Sequence, residues 1–241
     1  MSERNPLANQ LVISYLTLRK AVGWIGVLLP IVLLAGNLIF FSHAIPGSIS
    51  NYYYTHMRNV LVGSLCAIGV FLLCYDGYDG WDERFTSAAG LAAAGTALCP
   101  TTPPAGALTT SQLVVGYVHI GFAALTFTLL AVMSFRFTKT YPEHYRRAMD
   151  VPGRVLAVLG FTATPAGAVL TPMKQLRNRV YRICGIAIFA SMALAGGSLL
   201  LPASPQNDVP FVYIFESTAI FAFGVSWFVK GQTLFPFLKD E

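Results

Sequence analysis

The sequence predicts an all-α protein: a polytopic transmembrane helix bundle of six spans with both termini cytoplasmic. Three observations predict it. Of 241 residues, 55% are apolar and only 11% are charged, against about 45–50% and 25% in a soluble domain, and mean hydropathy is +0.59. Weakly charged apolar runs of about 20 residues recur, the length that crosses a ~30 Å hydrocarbon core at a 1.5 Å rise per residue. Lys and Arg gather on one alternate set of the loops between those runs. The same composition excludes disorder, coiled coil, collagen and a disulfide-rich miniprotein, leaving a single integral membrane domain over 1–241.

Five runs are long and apolar enough to span: 22–41, 57–75, 112–135, 183–201 and 209–229. A sixth, 86–99, is built of Ala and Gly with little Leu. Its Ala89, Ala93 and Ala97, with Gly90 and Ala94, recur at the small-xxx-small spacing that lets neighbouring helices approach closely, so it is expected in the bundle interior. Residues 136–182 then form a cytoplasmic loop holding an uncharged stretch at 155–173. Pro165 and Pro172 interrupt that stretch, and threading it would strand Lys174, Arg177 and Arg179 outside, so it is read as re-entrant or interfacial. The first run has full span length and follows a polar or mixed N-terminal segment, the pattern of a retained anchor.

Orientation follows from the basic residues. Arg4, Arg19 and Lys20 precede the first span, and Arg84 lies between the second and third. Arg136, Lys139, Arg146, Arg147, Arg154, Lys174, Arg177, Arg179 and Arg182 lie between the fourth and fifth, and Lys230 and Lys239 follow the sixth. Of the sixteen Lys and Arg, Arg58 alone falls on the other face, so the crowded face is cytoplasmic. The net charge of +5 is thereby an orientation signal, and nucleic acid is not an expected partner. Trp24, Trp81 and Trp227 are placed at the inner interface and Tyr52, Tyr53 and Tyr54 at the outer one, as aromatic belts. Cys66, Cys74, Cys99 and Cys184 form no CxxC, and disulfide or thiol redox chemistry is not expected.

Ionisable residues inside spans mark function by default. Glu216 lies seven residues into the last span, His119 seven into the fourth and Ser64 seven into the second, while Asn37 sits four below the end of the first. Four helices thus offer a polar group in one layer, roughly 6–10 Å below the outer surface. Arg58 and Asn59 lie just above it. The functional reading is a cavity open to the outer leaflet, with Glu216 as acid, base or counter-ion to Arg58 or His119. The structural reading is that these groups hydrogen-bond one another to hold the bundle together. The loop above the layer supplies Ser48, Ser50, His56 and Arg58, which together suit a phosphate or sugar head group, with Arg58 as the anion anchor. His43, His56 and His119 with Asp208 or Glu216 could instead make a zinc site, but no HxxxH or HExxH spacing supports it. No metal or cofactor is expected. On the inner side, Asp76, Asp79 and Asp82 in YDGYDGWDER lack the EF-hand spacing and read as Asp-Gly turns.

Several stretches carry a resemblance: LRKAVGWIGVLLP, SISNYYYTHMRNVLVGSLCAIGVFLL with CYDGYD behind it, ALCPT, RNRVYRICG and FAFGVSWFVKG. These resemble a bacterial family of six-span membrane proteins without an assigned activity, whose layout is similar to membrane proteins of the DRAM, Sfk and GPI-remodelling type. The near resemblance covers most of the chain apart from 143–173, which looks like an insertion. The more distant similarity implies a six-helix bundle tied to lipid handling and the nearer one a bacterial inner membrane, with no catalytic residues to carry over.

The function expected from these residues is binding or organising membrane lipid through an outer-leaflet polar cavity lined by Asn37, Ser64, His119 and Glu216. One alternative is an intramembrane lipid hydrolase or acyltransferase, with His119 or His56 as base, Ser48, Ser50 or Ser64 as nucleophile and Glu216 orienting the base. Another is a small transporter or proton-coupled channel in which Glu216 titrates. Against transport, the inner half of the spans offers chiefly Thr126, Thr128, Ser134 and Ser226. Membrane lipids are the expected partners, and self-association into a homo-oligomer is left open.

Overall fold

Six α-helices and one short 3-10 helix organise the computed structural model, which describes residues 6–41, 44–75, 77, 79–139, 172–198 and 210–231. No strand occurs among the described residues. The helices are α1 (Pro6–Phe40), α2 (Arg58–Leu73), α3 (Gly80–Leu98), α4 (Thr110–Arg136), α5 (Pro172–Ser198) and α6 (Phe211–Lys230), with the 3-10 helix Ser50–Tyr54 between α1 and α2. Each packs against its neighbour in sequence, and α6 packs back on α1, so the six form a closed ring. Segment 155–171, His43, Asp76 and Asp208 lie outside the described residues.

Four of the helices are long and apolar enough to cross a membrane: α1 from Leu16 onward, α4, α5 and α6. Their outward faces carry Ile31, Ile39, Phe40, Tyr117, Ile120, Ile183 and Ile186, all more than half exposed, an apolar belt far larger than a water-soluble monomer presents. The chain is a multi-pass membrane protein. α2 is apolar but has only 16 residues, about 24 Å of helix, and α3 is too poor in large apolar side chains to qualify by hydropathy.

The helix ends depart from the predicted spans where charged residues join the helix rather than the loop. α1 begins well before residue 22. α3 begins at Gly80 rather than 86 because the Asp79 side chain accepts hydrogen bonds from the amides of Trp81 (3.0 Å) and Asp82 (2.9 Å), a helix N-cap. α5 begins at Pro172, so Lys174, Arg177, Arg179 and Arg182 lie on helix rather than in a loop. Proline is well tolerated in a first turn, where its missing N–H has no partner to lose.

Close approach in the ring depends on small residues. Ala89, Ala93 and Ala97 on α3 are almost fully buried, and α3 meets α2 where Gly90 faces Gly69: a Cβ on Gly90 would stand 2.6 Å from the Gly69 carbonyl oxygen. α1 meets α6 in the same way at Gly26, where a Cβ would stand 3.0 Å from the Gly224 Cα.

Two ends of the bundle differ sharply. At the charged end, Arg136 at the close of α4 pairs with both Asp79 and Asp82 of α3, its own side chain wholly buried. The Asp-Gly reading of this loop therefore needs correcting: Asp79 caps α3 and, with Asp82, also anchors α4. Packed beside the pair is an aromatic core of Trp227 against Tyr75 (5.0 Å), Phe137 (5.4 Å) and Phe223 (5.9 Å). Trp227 is 1% exposed, so it is a core residue and not part of an interfacial belt, whereas Trp24 and Trp81 are exposed as a belt requires. Tyr52, at the other end, is likewise fully buried.

Removing one partner of a buried ion pair leaves the other uncompensated, at about 3–5 kcal/mol. Arg136→Met is accordingly expected to lower the melting temperature in detergent sharply, with the triple variant Arg136→Met, Asp79→Asn, Asp82→Asn recovering part of the loss. Unchanged melting in the single variant would remove this pair from the account of stability.

Candidate functional site

The end opposite the charged pair is covered by the segment 44–57, which folds over the ring and is sewn to it. Its 3-10 helix has N-terminal amides with no partner of their own, as every helix start does. Glu216 supplies the acceptor from α6: the Ile49 N–H donates to Glu216 Oε2 at 2.6 Å. The Tyr213 amide donates to the Gly47 carbonyl at 3.0 Å, and the Tyr52 and Tyr213 rings pack at 6.1 Å. Tyr54 donates from its hydroxyl to the Thr101 carbonyl, tying the same segment to the α3–α4 connection. Burial pushes the Tyr52 and Tyr54 phenols above their ordinary range; at Tyr54 the neighbouring Tyr53 adds to this and Arg58 opposes it.

His119 of α4 completes the attachment. Its Nδ1 lies 2.7 Å from the Cys99 carbonyl oxygen and its Nε2 2.9 Å from Ser50 Oγ. A carbonyl can only accept, so Nδ1 carries the proton and Nε2 accepts from the Ser50 hydroxyl.

Beneath the 3-10 helix lies a cleft inside the ring. Its volume is about 40 Å³, room for one to a few waters. Ser50, His119, Glu216 and Thr96 contribute polar groups, and Leu61, Leu65, Ala97, Ala123, Phe127 and Ile220 line it with hydrocarbon. Tyr53 forms part of the wall, with the Arg58 guanidinium 4.1 Å over its ring and donating to its hydroxyl. Below the cleft the ring is filled: Ser134 donates to Ser226 at 3.1 Å, both fully buried, above the Trp227 aromatic core.

Of the residues singled out in the sequence, the structure brings Ser50, His119 and Glu216 together. The others are placed elsewhere. Asn37 is buried but donates to the Ala44 carbonyl at 2.9 Å, holding the start of the loop segment. Ser48 accepts from the Asn51 amide at 3.0 Å within a turn. Ser64 is half-buried on α2 and does not line the cleft. His56 is exposed and stacks on Phe41 at 4.8 Å, while Arg58 and Asn59 are exposed on the first turn of α2. The layer is thus corrected from four helices to two, joined by the loop above. Depth along a helix fixes height but not the face presented, and Ser64 faces away. Two lining residues with polar groups were not singled out for this site: Tyr53, read as part of a belt, and Thr96, whose signal was its place as the one hydroxyl between Ser87 and Thr101. Among the described residues, no group of three or more His, Cys, Asp or Glu could hold a metal ion.

Compared with protein-family models, with curated proteins and with solved structures, the chain matches none of them.

Proposed function

We propose that the protein spans the membrane six times with both termini in the cytoplasm, and that it binds a membrane lipid in the cleft, on the outer-leaflet side. The observation that carries the binding reading is the composition of the cleft wall. Hydrocarbon from Leu61, Leu65, Phe127 and Ile220 adjoins Ser50, His119 and Glu216 at the covered end, a mixed lining that suits the junction between a lipid's head group and its chains, with the chains themselves in the bilayer. Arg58, poised over Tyr53, supplies the cation that a phosphate-bearing head group would meet. The orientation rests on the Lys and Arg distribution, which leaves the loop segment with Arg58 on the non-cytoplasmic face. A bacterial inner membrane is the location proposed from the sequence's resemblance to a bacterial six-span family.

A transport reading has less support. Ser134 and Ser226 satisfy each other, Thr126 donates to its own helix at Phe122 (2.8 Å), and Thr128 faces outward. These groups therefore offer no polar path through the lower half of the ring.

Two measurements test these statements. In a cysteine-free background, His56→Cys is expected to react with an impermeant maleimide in intact cells and Arg84→Cys only after lysis; the reverse pattern would invert the topology. Native mass spectrometry of protein purified from nanodiscs of phosphatidylethanolamine and phosphatidylglycerol is expected to show one retained lipid. Ala123→Phe, which fills the cleft, should reduce its occupancy about tenfold, the effect of roughly 1.4 kcal/mol in binding. Equal retention by wild type and a folded Ala123→Phe would place the lipid elsewhere.

A further inference from the structure

We propose that Ser50 and His119 act as nucleophile and general base on an ester-linked acyl lipid, transferring its acyl group through a covalent acyl-Ser50 to water. This chemistry rests on the cleft holding a lipid, and it assigns that lipid's class: one whose chain is joined through a carboxylic ester.

The geometry that points to it is directional. The Cys99 carbonyl, 2.7 Å from Nδ1, fixes the tautomer that leaves the Nε2 lone pair on the Ser50 hydroxyl at 2.9 Å. That is the relation a serine needs to lose its proton as it attacks, with a backbone carbonyl orienting the imidazole where other such sites use a carboxylate. His119 is 6% exposed, so the pair is shielded from bulk water yet both residues line the cleft. Glu216 does not orient the base, contrary to the sequence-based expectation. It holds the Ile49 amide, next to Ser50, and so is a positioning residue for the nucleophile.

The 3-10 helix adds a donor. Residues three apart in such a helix eclipse one another, which puts Tyr53 on the same face as Ser50, and both line the cleft. The Tyr53 hydroxyl oxygen accepts from Arg58, which leaves its own proton to donate. That proton is the group on this wall suited to a developing oxyanion, with Arg58 strengthening it.

The steps balance without an oxidant or reductant. Ser50 Oγ bonds to the ester carbonyl carbon as its proton passes to His119 Nε2, and the carbonyl π pair moves to oxygen, facing Tyr53. Collapse of that intermediate breaks the bond to the lipid's alkoxyl oxygen, which takes the proton from the imidazolium and leaves as an alcohol. Water then gives a proton to Nε2 as its oxygen bonds to the acyl carbon. Ser50 departs, recovers the proton, and a fatty acid is released.

The test uses the full chain in nanodiscs with hexadecyl fluorophosphonate as probe, read by intact mass and peptide mapping beside native mass spectrometry of retained lipid. Wild type is expected to gain one adduct at Ser50, with the rate falling about 100-fold or more in His119→Gln, as loss of a general base predicts. Retained lipid without a Ser50 adduct would overturn the dyad and leave lipid binding standing. Loss of both would overturn the two together. An adduct at Ser50 that forms at an unchanged rate in folded His119→Gln would remove the base from the proposal. The wild-type result decides whether Ser50 is a nucleophile by itself, so a variant that fails to fold does not leave that question open.

Discussion

The covered end of this bundle depends on one interaction, the Glu216 carboxylate capping amides that belong to a different part of the chain. A 3-10 helix of five residues cannot satisfy its own first N–H groups, and in a membrane protein unsatisfied amides are costly. Glu216 sits on α6 where those amides arrive, and its carboxyl oxygen accepts from the Ile49 N–H at 2.6 Å. Once Ile49 and Ser50 are held there, the Ser50 hydroxyl reaches His119, Tyr52 reaches Tyr213, and Tyr53 becomes a wall of the cleft. An intramembrane carboxylate is expensive in isolation. Here the expense is offset by the Ile49 backbone donor.

The closed ring makes this capping possible. Helices adjacent in sequence are adjacent in space, and α6 returns to α1 through the Gly26–Gly224 approach, so a segment between α1 and α2 lands within reach of the start of α6. At the opposite end, Arg136 with Asp79 and Asp82 locks α3 to α4, and the aromatic core around Trp227 fills the ring. The result is a bundle plugged at one end and hollow at the other. The proposed binding and chemistry both use the hollow end.

Much of this was legible in the sequence, and the rest was hidden for definite reasons. Hydropathy located the long spans, and small-residue spacing marked the buried face of α3, because both are local properties of the chain. Glu216 and His119 stood out because an ionisable group in an apolar run has few bland explanations. Ser64 and Asn37 stood at matching heights, yet rotation about the helix axis, which height does not encode, put neither in the cleft. Asp79 and Asp82 read as turn formers because their partner, Arg136, is more than fifty residues away. Trp227 and Tyr52 looked like belt residues for the same reason: only tertiary packing distinguishes a core aromatic from an interfacial one.

Hydrogen exchange at the Ile49 and Ser50 amides, measured in nanodiscs for wild type, Glu216→Gln and Glu216→Leu, tests the central role of this cap most directly. Gln keeps an acceptor oxygen, whereas Leu keeps the bulk and removes it. The account predicts strong protection in wild type, a modest loss in Gln, and in Leu a fall of about ten- to a hundredfold, the effect of leaving a buried amide without its acceptor at roughly 1–3 kcal/mol. Protection at those two amides that is identical in wild type and Leu would contradict it, because the loop would then be held over the ring by something other than Glu216.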